Sequence, residues 1–230
     1  MILFFDLDGP ILDVSEKYYQ AYADSLKILG CSFLEKDKYW QMKRATIPDY
    51  EILKRTSGEI YLDDYKVMRN SLIERESYLA FDRIWMELRD VYDILFQEFT
   101  AVLVTLRTHE DKLHGQLDGL GISRWFDKVI VGDNRCAEKW KSKVDAILAS
   151  RVLNCEKTED CLFVGDTETD ILAGKSLGMK TAGVTFGIRN RDILLQTKPD
   201  LIFDTPDELS GYLNNEFIYT RRRGDEKEKG

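Results

Sequence analysis

The first ten residues, Met1 to Pro10, constrain the fold of this chain more than any other stretch. Apolar residues run without interruption from Met1 to Phe5 and lead directly into Asp6-Leu7-Asp8-Gly9. A strand that is apolar on both faces is typical of the interior of a parallel sheet. Such a strand presents the residues that follow it at the carboxyl edge of the sheet, where open α/β folds bind ligands.

Asp6 and Asp8 are separated by a single residue, so on an extended strand their side chains would lie on the same face. Two neighbouring carboxylates repel each other at neutral pH, and a cation that prefers oxygen ligands, such as Mg2+, relieves the repulsion. The alternative is a polar turn at the end of a strand, without any chemistry. This stretch therefore predicts either a Mg2+ site or a structural turn.

Composition excludes several classes of function. The chain has 230 residues, of which 43% are hydrophobic and 32% charged, as in ordinary globular proteins. Its formal net charge of -8 argues against a nucleic acid or an anionic membrane as the main partner, and no segment approaches the ~20 apolar residues of a membrane span. The four cysteines form no C-x-x-C pair, so zinc and redox motifs are unsupported. We expect reduced thiols, no export signal and a cytoplasmic location.

The spacing of apolar residues changes along the chain. Between about Val14 and Ile84 it predicts helices only, the last of them covering Leu62 to Tyr78. From Asp90 onwards helices alternate with apolar strands, which predicts a parallel sheet with helices on both faces. The predicted strands of this second part are Ala101–Leu106, Val129–Val131, Cys161–Val164, Thr181–Thr185 and Leu201–Phe203.

The first strand stands far from these strands in sequence, so we interpret the helical block between them as an insertion that covers the sheet edge. The predicted domains are an α/β core from residues 1–13 and 85–217 and an all-helical cap from residues 14–84. The charged segment 218–230 has few apolar residues and is expected to be a disordered tail.

Polar residues also follow two later strands. Thr105 ends an otherwise apolar strand, and Gly165-Asp166-Thr-Glu-Thr-Asp170 follows another. Between them, Glu138 to Lys143 places three lysines just before a helix. Each feature alone has an ordinary explanation, a hydrogen-bonded turn or a solvated surface. Together they predict that carboxylates from two strand ends meet over one cation, with a lysine at the same edge.

With these motifs in this order, the chain resembles the haloacid dehalogenase superfamily, in the branch with a helical cap inserted after the first strand. That branch includes phosphoglycolate phosphatases and β-phosphoglucomutase. The D-x-D-G opening at Asp6 and the G-D-x-x-x-D segment that ends at Asp170 carry the resemblance, which covers about residues 1 to 215. It implies that the α/β core is Rossmann-like.

The resemblance implies the following roles for the acidic residues. Asp6 would attack phosphorus to form an aspartyl-phosphate and would bind Mg2+. Asp8 would protonate the leaving alcohol and then activate water, while its backbone carbonyl binds the metal. Asp166 would be a direct metal ligand, and Asp170 would support the metal from close by.

Other residues would hold the substrate or neutralise its charge. Thr105 and neighbouring backbone amides would bind the phosphoryl oxygens, and the further candidates for substrate binding are Gly9, Leu106, Arg107 and Lys141. Arg107 would bind a second anion of the substrate or pair with an acid on the surface. A lysine would neutralise the nucleophile and the phosphate. Lys143, at the helix start, is favoured over Lys141, whose spacing fits other relatives.

Substrate identity is expected to depend on the cap, where the polar and aromatic candidates are Trp40, Lys43, Arg44 and Tyr50. Packing within the cap or exposure to solvent is the alternative for each of them. The leading prediction is a Mg2+-dependent phosphatase, monomer or homodimer, that acts on a small phosphorylated metabolite. A phosphomutase of the same fold and a non-catalytic binding module are the alternatives.

Overall fold

A computed structural model describes residues 1–153 and 157–219. The predicted tail thus lies largely outside the described residues. The strands are β1 (Ile2–Phe5), β2 (Leu12–Asp13), β3 (Arg83–Ile84), β4 (Thr100–Thr105), β5 (Lys128–Val131), β6 (Leu162–Gly165), β7 (Lys180–Val184) and β8 (Leu201–Phe203).

Helices occupy most of the sequence between these strands. They are α1 (Ser15–Ile28), α2 (Lys36–Arg44), α3 (Asp49–Leu53), α4 (Leu62–Ile73), α5 (Glu76–Leu79), α6 (Met86–Glu98), α7 (Glu110–Gly119), α8 (Lys139–Ala149), α9 (Glu168–Ser176), α10 (Arg191–Gln196) and α11 (Pro206–Leu213).

Six of the strands form one parallel sheet in the order β5-β4-β1-β6-β7-β8. Strand β1 lies at its centre, where Phe5 pairs with Leu103 of β4 and with Val164 of β6. The carboxyl ends of β1, β4 and β6 therefore lie side by side. Sequence order reverses on the two sides of β1, which is where open α/β sheets bind ligands.

The side chains of β1 explain why its sequence is apolar throughout. Leu3 and Phe5 belong to the hydrophobic cluster that includes residues of α6, α7 and α11. Ile2 and Phe4, on the opposite face, belong to a second cluster with residues of α8 and α9. Because helices cover both faces of the sheet, neither set of side chains has to be polar.

The helices after β2 have a hydrophobic cluster of their own. Tyr22 and Tyr39 stack with ring centroids 4.0 Å apart, and Tyr65 meets Tyr22 edge-on at 6.2 Å. Strands β2 and β3 pair antiparallel where the chain leaves the core and returns to it. Sequence periodicity did not indicate this pair of strands because each has only two residues. The α/β fold with an inserted helical cap is confirmed, while the exact domain boundaries stay a prediction.

One predicted cap helix is wrong in extent. The spacing predicted a single helix from Leu62 to Tyr78, but α4 ends at Ile73 and the short α5 follows. At the break, the Glu74 carboxylate accepts hydrogen bonds from the backbone N–H groups of Thr108 and His109 in the core, at 2.9 and 3.1 Å. The helical spacing of apolar residues therefore continues past a point where the chain leaves the helix and contacts the core. None of the helices in the described part of the chain is long and apolar enough to cross a membrane.

Candidate active site

Residues that follow three adjacent strands converge at the carboxyl edge of the sheet. Asp6 follows β1, Thr105 ends β4 and Asp166 follows β6, and each is at least nine-tenths buried. The Asp6 N–H donates to the carbonyl of Val164 at 3.0 Å, so the ladder continues up to the first aspartate. Parallel pairing alone thus brings these side chains together.

A buried lysine ties the acids together. Lys143, 2% exposed on α8, donates from Nζ to Asp6 Oδ1 at 2.8 Å and to Asp170 Oδ1 at 2.6 Å. It also donates to the Val104 carbonyl at 2.9 Å, so all three ammonium hydrogens have an acceptor. Burial disfavours the ammonium, but the Asp170 and Asp6 carboxylates raise the pKa of Lys143. Lys143 is therefore held charged beside Asp6.

Asp170 has a second contact that fixes its position. Its Oδ2 accepts hydrogen bonds from the N–H and the hydroxyl of Thr167, at 3.0 and 2.7 Å. The two residues form a capping box at the start of α9. The capping arrangement orients Asp170 so that its other oxygen faces Lys143.

Asp166 is completely buried, and one of its oxygens has no partner. Its Oδ2 accepts from the Ile188 N–H at 2.5 Å, whereas Oδ1 is buried without a hydrogen bond within the described residues. Gly9, at φ +109°, and Gly187 make room for this carboxylate, because a Cβ at either glycine would come within 2.0 or 2.2 Å of Asp166 Oδ2. The backbone is shaped around a carboxylate that the protein itself satisfies only in part.

The set Asp6, Lys143, Asp166 and Asp170, called the carboxylate cluster below, fits a divalent cation. Oxygens of its three aspartates lie within 4.8 Å of one another. Burial above all raises the pKa of Asp6 to about 7, with Lys143 opposing and Asp170 and Asp8 adding to the rise. Burial and then the Asp6 and Asp170 charges raise the pKa of Asp166 as well. Mg2+, which prefers oxygen ligands, would relieve this excess of negative charge.

Asp8 has different partners. Its carboxylate accepts from Arg107 Nε at 2.8 Å and from Arg107 Nη2 at 2.5 Å, and Lys17 Nζ lies 3.3 Å from its Oδ1. Asp82, between α5 and β3, contacts both cations, Lys17 at 2.8 Å and Arg107 at 3.2 Å. We call Asp8, Lys17, Asp82 and Arg107 the charge ring. Two positive and two negative side chains thus neutralise one another between core and cap.

The ring sets the charge of Asp8. Burial by itself would raise the pKa of Asp8, but the Arg107 guanidinium and then Lys17 hold it well below the usual range. Hydrogen bonds from Trp85 Nε1 to the Gly9 carbonyl at 2.7 Å and from the Tyr92 hydroxyl to the Pro10 carbonyl at 3.0 Å fix the loop that carries Asp8. Asp8 is therefore an ionised carboxylate on a well-anchored turn.

A pocket of about 320 Å3 lies between the sheet edge and the cap. The sequence candidates that line it are Asp6, Asp8, Thr105, Leu106, Arg107 and Lys143. Arg107 pairs with the acids of the ring and not with a surface acid, and its predicted role in binding a second anion of the substrate stays a prediction. Thr105 is oriented by the Arg107 N–H, which donates to its hydroxyl at 3.3 Å.

Two candidates lie elsewhere. Lys141 is half exposed and pairs with Glu138 on the surface of α8, so the structure brings Lys143 and not Lys141 to Asp6. Gly9 is in contact with Asp166 and is not among the residues that line the pocket. A role for either residue in substrate binding stays a prediction.

Of the four cap candidates, Lys43 alone lines the pocket. Trp40 packs with Tyr18 against the core cluster, at a centroid distance of 6.0 Å. Arg44 donates to the Thr185 carbonyl of the core, and Tyr50 is exposed. The alternative of packing or solvent contact therefore describes these three residues.

Sequence reasoning missed much of the pocket wall. Its further residues include Lys17, Tyr18, Arg69, Asn70, Glu74, Asn134, Lys139, Thr167, Thr169 and Arg189. Tyr18 belongs to the apolar spacing of α1, and that spacing does not indicate that its side chain lines the pocket. Arg69 lies one helical turn after Tyr65 on α4, with its guanidinium 5.4 Å from the centroid of the Tyr65 ring, and lines the pocket from the cap. In the segment Gly165–Asp170 the acids indicated a site. Thr167 and Thr169, which alternate with these acids, were the available sign of further residues in the pocket wall.

Comparison with known proteins agrees with this geometry. Residues 3–184 match the model of the haloacid dehalogenase-like hydrolase family. The chain belongs to this family. The resemblance drawn from Asp6, Asp8, Asp166 and Asp170 is thereby confirmed, and so is the prediction of a hydrolase.

Individual relatives extend over nearly the whole chain. A phosphoglycolate phosphatase of Aquifex aeolicus is 28% identical, covering 94% of this chain and 98% of its own. The pyrophosphatase PpaX of Halalkalibacterium halodurans is 25% identical, covering 89% and 93%. A solved haloacid dehalogenase-like hydrolase of Streptococcus pneumoniae has the same fold, with a TM-score of 0.71 at 19% identity over 92% of this chain and 97% of that one. The names of the first two agree with a phosphoric monoester hydrolase.

Proposed function

We propose that this protein is a Mg2+-dependent phosphatase that hydrolyses a small phosphomonoester through an aspartyl-phosphate. The observation that carries the proposal is the carboxylate cluster: Lys143 pairs with two of its three buried aspartates, Asp6 and Asp170, and Asp166 Oδ1 has no partner among the described residues. Asp6, Asp166 and the backbone carbonyl of Asp8 would hold Mg2+, with Asp170 in support. The ion would supply positive charge that offsets the charge of the phosphoryl oxygens.

In the first step an Asp6 oxygen attacks phosphorus, and the bond from phosphorus to the leaving oxygen breaks. Lys143, 2.8 Å from Asp6 Oδ1, lowers the repulsion between the carboxylate and the phosphate. The Thr105 hydroxyl and nearby backbone N–H groups orient the phosphoryl oxygens. Asp8 gives a proton to the leaving oxygen. To carry that proton, its carboxylate first has to separate from Arg107 and take up a proton from solvent.

In the second step Asp8, ionised again, takes a proton from water. The water oxygen bonds to phosphorus, the bond from phosphorus to Asp6 breaks, and inorganic phosphate is released. The cap limits the access of bulk water to the pocket, because Glu74 and Arg44 make hydrogen bonds from the cap to the core. A small phosphorylated metabolite in the cytoplasm is the substrate that this proposal assumes.

A panel of phosphate esters, assayed for phosphate release with and without EDTA, tests the proposal. We expect the wild type to release phosphate only with Mg2+, and Asp6→Asn to release almost none. Asp63→Asn, an exposed acid on cap helix α4, is the matched control and should behave as wild type. Equal rates for wild type and Asp6→Asn on every ester would leave the non-catalytic alternative. Isomerised sugar phosphate without phosphate release would instead support the phosphomutase.

A further inference from the structure

The pocket carries more positive side chains than its own acids balance. The cations that line it are Lys17, Lys43, Arg69, Arg107, Lys139, Lys143 and Arg189. Salt bridges neutralise most of these: Lys17 and Arg107 in the ring, Lys143 in the carboxylate cluster, Arg69 with Asp49 and Arg189 with Glu168. Across residues 1–153 and 157–219, Lys43 and Lys139 form no salt bridge. Lys139 is exposed to solvent, whereas Lys43 is half-buried.

Lys43 lies on α2, on the cap side of the pocket. Its Nζ is 5.2 Å from the ring centroid of Tyr18, which also lines the pocket. A cation–π contact of this kind stabilises the ammonium but leaves its full charge in place. The side chain is thus held in position with its positive charge uncompensated.

The surroundings of Lys43 disfavour that charge. Burial first, and then the Arg69 guanidinium, lower the pKa of Lys43 to about 8, with Arg189 and Lys139 adding to the effect and Asp49 opposing it. The Asp49 carboxylate is already bound to Arg69 Nη1 at 2.8 Å. An anion bound beside Lys43 would therefore be attracted to the ammonium. It would also offset the repulsion between this ammonium and the neighbouring cations.

We propose that Lys43 binds a second anionic group, a carboxylate or a phosphate, carried by the leaving part of the substrate. The inference rests on the proposed phosphatase function, since it places the reacting phosphoryl group at Asp6. It names the substrate class: a short phosphoric ester or anhydride with an anionic group at each end. Esters with a neutral leaving group would not use Lys43.

The dimensions of the pocket agree with a short substrate. Its volume of about 320 Å3 is near the lower end of ligand pockets, which run from ~300 to 1,000 Å3. Asp6 and Thr105 line the pocket from the core, and Lys43 lines it from cap helix α2. The cap would thus select the leaving group by charge, while the core binds the phosphoryl group that all substrates share.

Matched substrates test the role of Lys43. Steady-state kinetics would use 2-phosphoglycolate, with a carboxylate, inorganic pyrophosphate, with a second phosphate, and 2-hydroxyethyl phosphate, which is neutral at that end. The variants are Lys43→Met, Lys43→Arg and, as the control, Lys38→Met, an exposed lysine on the same helix. Thermal unfolding by circular dichroism checks that each variant folds.

We expect Lys43→Met to raise KM about 10- to 100-fold for an anionic substrate, the usual effect of losing a hydrogen bond to a charged group. KM for 2-hydroxyethyl phosphate should stay within about twofold, because no ionic contact is lost there. Lys43→Arg should retain binding, and Lys38→Met should match the wild type. An effect on 2-phosphoglycolate alone identifies a carboxylate as the second anion, and an effect on pyrophosphate alone identifies a phosphate.

Three results would overturn the inference and leave the phosphatase proposal standing. These are equal effects of Lys43→Met on all three substrates, no effect on any of them, and turnover confined to neutral esters. A wild type that releases phosphate from no ester faster than Asp6→Asn overturns the phosphatase proposal itself. The two failures are therefore distinguishable in one set of assays.

Discussion

The carboxylate cluster and the charge ring both lie at the sheet edge, where Asp6 of the cluster is two residues from Asp8 of the ring. They differ in the balance of positive and negative side chains. The carboxylate cluster sets three aspartates against Lys143, and Asp166 Oδ1 is left without a partner within the described residues. The charge ring sets two acids against two bases, and each base contacts both acids. An excess of buried negative charge favours binding of a cation, whereas a neutral ring needs no ligand and fixes geometry.

The largest expected effect is that of Asp6→Asn, a variant of the carboxylate cluster that should lower activity without lowering stability. Asp6→Asn should lower kcat at least about a thousand-fold, because it removes the nucleophile. The free energy of unfolding should be retained, because the variant removes a buried charge that is unfavourable: burial first, and then the Asp170 and Asp8 charges, raise the pKa of Asp6 to about 7. Phosphate release and urea unfolding measure the two quantities. Lost activity together with a large loss of stability would show that Asp6 is mainly structural.

Lys143→Met should be the next largest. Removing the ammonium leaves Asp6 and Asp170 unpaired and should lower kcat by roughly 100- to 1,000-fold. Lys141→Met, two residues away on the same helix and half exposed, should change kcat by less than about twofold. If the two variants exchanged these effects, the catalytic lysine would have been assigned to the wrong residue.

Variants of the charge ring should lower the free energy of unfolding. Asp82→Asn leaves Lys17 and Arg107 with Asp8 as their remaining ring acid, and should lower the free energy of unfolding by about 3 kcal/mol. The double variant Asp82→Asn/Lys17→Met restores neutrality and should cost less than the sum of the single variants. Urea unfolding of all four proteins measures the coupling. Additive changes would mean that the four charges do not act as a ring.

The smallest expected effect is a rise in Tm on addition of Mg2+, which should depend on the carboxylate cluster and not on the charge ring. At about 100 times its Kd, Mg2+ should raise the Tm of the wild type by roughly 5 °C. Asp166→Asn should abolish the increase, since it removes a proposed ligand, while Asp82→Asn should keep it. Thermal unfolding with and without Mg2+ gives the answer without any activity assay. Loss of the shift in both variants would contradict the division between cluster and ring.

The sequence predicted the carboxylate cluster better than the ring for a physical reason. Asp6 and Asp166 directly follow β-strands, and parallel pairing places the ends of neighbouring strands together. Lys17 and Asp82 of the ring belong to a helix and a connecting segment, whose approach to Asp8 depends on how the cap packs. No periodicity or motif in the chain indicates such an approach.

Lys141 and Lys143 also show that sequence patterns do not decide which side chain reaches the site. Side chains that are two residues apart on a helix point in directions about 200° apart, so one faces the core when the other faces solvent. Spacing alone left both lysines open as candidates. Packing of α8 against the sheet buries Lys143 and exposes Lys141.

By itself, the sequence determined the α/β core, the inserted helical block and the strand ends that carry Asp6, Thr105 and Asp166. These features follow from local patterns: unbroken apolar runs, helical spacing and the residues directly after each strand. Tertiary structure alone decided which lysine reaches Asp6, what holds Asp8, and that Lys43 lines the pocket from the cap. Such contacts join segments far apart in sequence, and packing sets the rotation of each helix.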